Sequence, residues 1–216
     1  MLLSLGYVGA VWLHGIVVRW TQWEASRVGI NSTPALPDII HRHLPAINAK
    51  FILFPDIALI FWCIFTASAM YYTNNTYAMR HLLLAHGTIV LMRALCVGVT
   101  LFPTPLPDNI SFKQCYLIRW YVAVVVSRND LMFSGHTALY VLLGCTWTTY
   151  LNVGSMFYCI MIWTAVFILS LSLIMARQHY TVDVLVAAFL SLTTFYSMKS
   201  PYPDSPIGIS GSIGDT

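Results

Sequence analysis

Charged residues are scarce in this chain of 216 residues. Asp, Glu, Lys and Arg make up only 9% of it, whereas 58% of the residues are hydrophobic and the mean hydropathy is +0.71. An ordinary soluble domain carries about 25% charged residues. A surface with so few charges would not stay dissolved in water, so the composition argues against a soluble domain and indicates lipid as the solvent.

The chain also lacks several features that would direct it to other classes of protein. Its net charge of +3 is small and scattered, which argues against a nucleic-acid partner. Its five cysteines are odd in number and show no CxxC spacing, so neither a disulfide framework nor a zinc site is predicted. The N-terminus has no basic region and no cleavage pattern before Trp20, which favours a retained helix over a cleaved signal peptide.

Long apolar stretches are the main feature of the sequence. A membrane-spanning helix needs about 20 mostly apolar residues. Six stretches qualify, at residues 2–20, 51–72, 78–102, 132–151, 155–176 and 179–198. We therefore predict an all-α, polytopic membrane protein with six transmembrane helices in one bundle. Residues 1–198 would form this catalytic domain, and the Pro-, Gly- and Ser-rich residues 199–216 would form a flexible C-terminal tail.

The number of spans predicts which loops lie on the same side of the membrane. With six spans, both termini lie on one side of the membrane. The loops at 21–50 and 103–130 and the turn at 176–179 then lie on the other side. Taken literally, the excess of Lys and Arg in these loops would place them in the cytosol. A phosphate-binding face needs cations for its own reasons, however, so composition leaves the orientation open.

The segment His179-Tyr-Thr-Val-Asp183 opens the last predicted helix. Residues four apart lie on one helical face, so Asp183 can reach the His179 ring. A carboxylate in that position fixes the imidazole tautomer and stabilises the imidazolium, which makes the other ring nitrogen a competent nucleophile or base. The alternative is a structural contact near the membrane surface.

The segment Phe133-Ser-Gly-His-Thr137 opens the fourth predicted helix. Ser134 can cap the helix, and Gly135 allows a ligand to approach the backbone closely. The N–H groups at a helix N-terminus suit a phosphate, beside which His136 could act as a general acid and base. The alternative is an ordinary cap followed by an interfacial histidine, but the pairing of this segment with a downstream HxxxD favours a catalytic site.

Together these segments resemble a known family. Asn129–Thr137 and Ala176–Val184 look like the two signature motifs of the sphingomyelin synthase family, a branch of the type-2 phosphatidic acid phosphatase superfamily. The resemblance extends to Leu36-Pro-Asp-Ile39, and to Arg93, Thr100, Pro103 and Pro105. It implies a catalytic triad of His136, His179 and Asp183. It also implies no metal and no cofactor, and a site on the lumenal or outer face of the Golgi or plasma membrane.

The resemblance and the rarity of charge in the spans suggest further substrate contacts. A charge in the hydrocarbon costs about 2.5–3.5 kcal/mol on insertion scales, so Asp56 and Arg93 should face a cavity or a partner. Tyr180 could hold a choline group through a cation–π contact. The predicted substrate-binding residues are Asp130, Ser134, Gly135, Arg93, Asp56 and Tyr180. The alternatives are an ion pair inside the bundle for the two charges and an interfacial aromatic belt for Tyr180.

Departures from the family leave the substrates open. Arg128 and Asn129 replace a Cys-Gly pair, and Arg177 and Gln178 replace a His-Asp pair, all next to the predicted site. The leading function is transfer of phosphocholine, or of a related phospho-alcohol, from a glycerophospholipid such as phosphatidylcholine to ceramide, releasing diacylglycerol.

Three alternatives remain at this point. They are a lipid phosphatase or phospholipase C-like hydrolase, an exchanger that uses diacylglycerol as acceptor, and a non-catalytic lipid-binding scaffold. The phosphatase branch carries a KxxxxxxRP motif that is absent here, which favours transfer. A homo-oligomer is possible.

Overall fold

The computed structural model describes residues 2–30, 33–47, 51–105, 132–151 and 154–198. Within these ranges the chain is helical and contains no strand, which confirms the all-α prediction for them. The helices are α1 (Leu2–Arg27), α2 (Ile39–His43), α3 (Phe54–Tyr72), α4 (Thr76–Val99), α5 (Gly135–Tyr150), α6 (Met156–Met175) and α7 (Thr181–Ser197). The predicted tail at 199–216, most of the 103–130 loop and Asp130 lie outside the described residues.

Three of these helices are long and apolar enough to cross a membrane. They are α3 with 19 residues, α4 with 24 and α6 with 20. The apolar helix α7 is shorter, with 17 residues. Each of the six predicted stretches overlaps an observed helix, and a membrane protein is supported by length and composition, but six membrane crossings are not confirmed.

Helix α1 continues further than its apolar run predicts. It ends at Arg27 instead of residue 20, so the first part of the predicted 21–50 loop is helical, and α2 lies within the rest of it. The polar residues are compatible with the helix because they bond within it. The Thr21 hydroxyl donates to the Val18 carbonyl at 2.9 Å, and Arg27 Nε donates to Glu24 Oε2 at 3.0 Å.

Helix α5 forms the centre of the bundle. It packs against α3, α4, α6 and α7, and its residues from Thr137 to Trp147 are buried except for Leu139. A helix that is buried on all sides is typical of a bundle core. Helix α1 packs mainly against α4. Because α5 contacts so many neighbours, its first residues can meet groups from several other helices.

The ends of four helices converge at one end of the bundle. Asp56 in the first turn of α3 contacts His136 in the first turn of α5. The Ser134 N–H, just before α5, donates to the carbonyl of Asp183 in the first turn of α7 at 3.1 Å. Arg93 lies six residues before the end of α4, and it donates a hydrogen bond to the carbonyl of Phe133, just before α5. The two predicted motifs therefore lie together.

A buried histidine joins the helices at the other end of the bundle. His81 of α4 is 4% exposed, and its Nε2 lies 3.1 Å from the Phe195 carbonyl of α7. Because a carbonyl can only accept, Nε2 carries the proton, and Nδ1 accepts from the Tyr150 hydroxyl of α5 at 2.7 Å. This arrangement connects α4, α5 and α7 far from the predicted site.

Replacing Tyr150 with phenylalanine should therefore destabilise the fold. The substitution leaves a buried ring nitrogen of His81 without this donor, which costs about 1–3 kcal/mol in free energy of unfolding. Denaturation in detergent would measure the change. Tyr72→Phe is the matched control, because Tyr72 is 83% exposed and its change should stay within about 0.5 kcal/mol. Equal effects of both substitutions would contradict the assigned role of the His81 contact.

Candidate active site

His179 and Asp183 lie on either side of the start of α7. His179 is in the connection between α6 and α7, and Asp183 is the third residue of α7. His179 Nδ1 and Asp183 Oδ2 are 3.7 Å apart, which is longer than a hydrogen bond. The same Oδ2 accepts the Tyr180 N–H at 2.9 Å. With Nδ1 facing the carboxylate, Nε2 of His179 is the nitrogen left for a substrate.

Burial sets the protonation state of His179. The residue is only 6% exposed, and burial disfavours a charged imidazole, although the Asp183 carboxylate opposes the effect. Burial therefore favours the neutral form of the ring. A neutral imidazole beside a carboxylate is the form that can attack an electrophile.

His136 has its own carboxylate partner. Its Nε2 lies 2.9 Å from Asp56 Oδ1, and both side chains are largely buried. The rings of His136 and His179 are tilted against each other, with their centroids 6.4 Å apart. At this separation one phosphoryl group can contact both rings. The sequence predicts substrate binding by Asp56, and the structure pairs this residue with His136, so direct contact with a substrate stays a prediction.

The N-terminus of α5 lies beside the guanidinium of Arg93. Ser134 caps the helix as predicted, accepting the Thr137 N–H at 3.2 Å. Arg93 Nε donates to the Phe133 carbonyl at 3.2 Å, and its guanidinium lies directly over Gly135. A Cβ at Gly135 would lie 2.6 Å from Arg93 Nη1, so only glycine permits this approach. A guanidinium beside the N-terminus of a helix suits an anion.

The Tyr180 ring is buried, whereas the contact proposed for it is with a lipid head group. It is 4% exposed, and its hydroxyl donates to the Pro103 carbonyl at 2.9 Å and accepts the Leu36 N–H at 2.9 Å. The ring thus connects two loops to the start of α7. Contact with a head group remains a prediction for Tyr180.

Asp38 has no role predicted from the sequence, and the structure places it against the start of α7. Both of its carboxylate oxygens contact Thr181, the first residue of α7. His41, three residues further on, contacts the carbonyl of His179. The available signal was the Leu36-Pro-Asp-Ile39 segment, which matches the spacing of the resembled family but has no catalytic residue pattern of its own.

Comparison with known proteins finds similarity over the region that contains this site. Residues 128–200 match the family model described as PAP2 superfamily C-terminal, and this range contains His136, His179 and Asp183. The chain is 26% identical over 216 residues to sphingomyelin synthase-related 2 of Caenorhabditis elegans, covering 90% of this chain and 63% of that protein. It is 23% identical over 177 residues to sphingomyelin synthase-related protein 1 of Homo sapiens, covering 75% of this chain and 43% of that protein.

The chain spans less than two thirds of the length of these two curated relatives. The match of residues 128–200 contains both signature motifs, and the similarity to the relatives extends over most of the chain. The chain is therefore similar to the PAP2 superfamily over residues 128–200 and, at modest sequence identity, to sphingomyelin synthase-related proteins over most of its length.

Proposed function

We propose that this chain transfers a phosphorylated head group from a glycerophospholipid to the hydroxyl of a second lipid, with phosphatidylcholine as the favoured donor and ceramide as the leading acceptor. The family match and the names of the relatives support a lipid phosphotransferase or phosphatase type of function. The observation that carries the finer proposal is the convergence of two histidines, His136 and His179, each facing a carboxylate, at a helix N-terminus beside Arg93.

In the first step Nε2 of His179 attacks the phosphorus of the donor lipid. A P–N bond forms and the P–O bond to diacylglycerol breaks. Asp183 stabilises the positive charge that develops on the imidazole. Protonated His136 gives its proton to the departing diacylglycerol oxygen. With Nε2 of His136 held by Asp56, Nδ1 is the nitrogen that carries this proton.

In the second step the acceptor hydroxyl attacks the phosphorus. The P–N bond to His179 breaks, the new P–O bond forms, and His136 accepts the hydroxyl proton. Both histidines are then back in their starting states. Arg93 and the N–H groups of α5 lie beside this position and would stabilise the charge on the phosphoryl oxygens.

The burial of the site favours a lipid acceptor over water. His179 and Asp183 are 6% and 2% exposed, and an enclosed site limits hydrolysis of a reactive intermediate. In this proposal the chain is an integral, multi-pass protein of the Golgi or plasma membrane with the site on the lumenal or outer face. Diacylglycerol is the second acceptor to consider, and homo-oligomers are compatible with the proposal.

A panel of donors and acceptors tests the function. The purified full chain would receive head-group-labelled phosphatidylcholine, phosphatidylethanolamine or phosphatidylinositol, each with ceramide, with diacylglycerol or with no acceptor. We expect a labelled sphingolipid only when ceramide is present. Free phospho-alcohol without a new lipid would instead identify a hydrolase. No product from any pair, with the Asp183→Asn chain as background, would overturn the proposal.

Gly135→Ala should weaken activity through Arg93. The added methyl would lie 2.6 Å from Arg93 Nη1 and would push the guanidinium away from the phosphoryl position. Loss of one such donor costs about 10²-fold in rate. Gly15→Ala is the matched control, because a Cβ there meets no atom within 4 Å.

The double variant Arg93→Ala, Gly135→Ala separates this effect from a direct one on the helix backbone. If Gly135→Ala acts through Arg93, the double variant should be no slower than Arg93→Ala alone. Full activity of Gly135→Ala would show that the position of Arg93 does not matter for the reaction.

A further inference from the structure

The carboxylate of Asp38 caps two helices at once. Asp38 precedes α2, and its Oδ1 accepts the His41 N–H at 3.1 Å. Its Oδ2 accepts the Thr181 N–H at 2.7 Å, and Oδ1 also accepts the Thr181 hydroxyl at 2.9 Å. A negative charge at the N-termini of two helices is stabilising for both. One side chain therefore connects residues 33–47, which we call the α2 segment, to the start of α7.

The α2 segment makes further contacts with the connection between α6 and α7, which contains His179. His41 Nε2 lies 3.2 Å from the His179 carbonyl, to which it donates because a carbonyl only accepts. The His41 ring also stacks on Tyr180, with centroids 5.8 Å apart. Arg177 Nη2 donates to the carbonyls of His41 and Leu44 at 2.6 and 3.0 Å. The α2 segment thus contacts Arg177, His179, Tyr180 and Thr181.

These contacts of the α2 segment matter because no hydrogen bond to Asp183 fixes the His179 ring. Its contact with Asp183 is 3.7 Å long, which is too far for a hydrogen bond to fix the ring. The direction of the ring therefore depends on the backbone of the connection. A misplacement of about 1 Å at a reacting group can cost about 10²-fold in rate.

The charge on Asp38 is maintained at neutral pH. Partial burial raises the pKa of Asp38, but hydrogen bonds from Thr181 and His41 outweigh it, so the pKa lies below the ordinary aspartate value. The capping contacts therefore involve an ionised carboxylate throughout the neutral range.

We infer that Asp38 is a positioning residue that holds His179 in its reactive geometry by fastening the α2 segment to the start of α7. Asp38 itself does not touch the reacting atoms in this assignment. The kinetic consequence of this inference rests on the proposed function. The contact between the α2 segment and the start of α7 can be measured without any substrate.

The kinetic experiment compares Asp38→Ala and Thr181→Val with Thr193→Val. Thr193 is exposed on α7, and its hydroxyl donates to the carbonyls of Phe189 and Leu190 in the same helix, which makes it a matched control for Thr181. Asp38→Ala should lower kcat about 10–100-fold with KM within about threefold, because binding groups stay in place. The double variant Asp38→Ala, Thr181→Val should be no slower than Asp38→Ala, and Thr181→Ser should retain the wild-type rate.

Hydrogen exchange of backbone amides supplies the substrate-free measurement. Residues 179–183 should exchange faster in Asp38→Ala than in the wild-type chain, and Thr193→Val should leave them unchanged. If the wild-type chain is active and Asp38→Ala keeps its kcat, the inference is overturned and the proposed function stands. If the wild-type chain acts on no lipid, the proposed function is overturned, and unchanged exchange at 179–183 would overturn the inference separately.

Discussion

Replacing His179 with alanine is expected to lower the rate of head-group transfer by at least about 10⁴-fold while the protein still folds. The substitution removes the nucleophile, and loss of a nucleophile costs more than loss of any supporting group. Asp183→Asn should cost about 10²–10⁴-fold, because the imidazolium loses the carboxylate that lies 3.7 Å from Nδ1. Initial rates with labelled donor lipid in detergent would measure both losses.

The matched control is His43→Ala, which removes an exposed histidine of α2. It should retain the wild-type rate and elute at the same position in size-exclusion chromatography. A brief incubation with phosphate-labelled donor and no acceptor should leave acid-labile label on the wild-type chain and none on His179→Ala. Full activity of purified His179→Ala would rule out the mechanism proposed for this site.

Replacing His136 with alanine should slow the reaction by about 10²–10⁴-fold, the range for loss of a general acid and base. The loss should depend on the leaving group. A donor that releases p-nitrophenolate needs little protonation, so His136→Ala should be much less impaired with p-nitrophenyl phosphocholine than with phosphatidylcholine. An equal loss with both donors would show that His136 does not protonate the leaving oxygen.

Asp56→Asn tests whether the carboxylate acts through His136. The two side chains are 2.9 Å apart, and Asp56 should orient the ring and support its positive charge. We expect a smaller loss than for His136→Ala, and no additional loss when both are replaced, because residues that act as a unit are not additive. Additive losses would instead indicate that Asp56 contacts the substrate by itself.

The positions of the helices were largely predictable from local composition. Each apolar run coincides with a helix because burial in lipid or in the core requires a continuous apolar stretch with internally paired backbone groups. The exception is the end of α1, where Glu24 and Arg27 satisfy each other along the helix and extend it beyond the apolar run. The cap at Ser134 followed from its residue type and position alone.

The partners in the site were decided by tertiary structure. His136 and Asp56 are 80 residues apart in sequence, and Asp38 and Thr181 are 143 apart. No local pattern encodes such contacts, because they depend on how α3, α5 and α7 pack. The close approach of Arg93 to Gly135 likewise appears only when α4 and α5 lie side by side.

What the sequence determined by itself is the set of helices and the chemistry carried by HxxxD and SGH, because both depend on spacing within one or two turns. What only the fold decided is which carboxylate serves each histidine and what holds His179 in place. The physical reason is that local spacing sets the direction of a side chain relative to its own helix, whereas the packing of several helices sets which groups it meets.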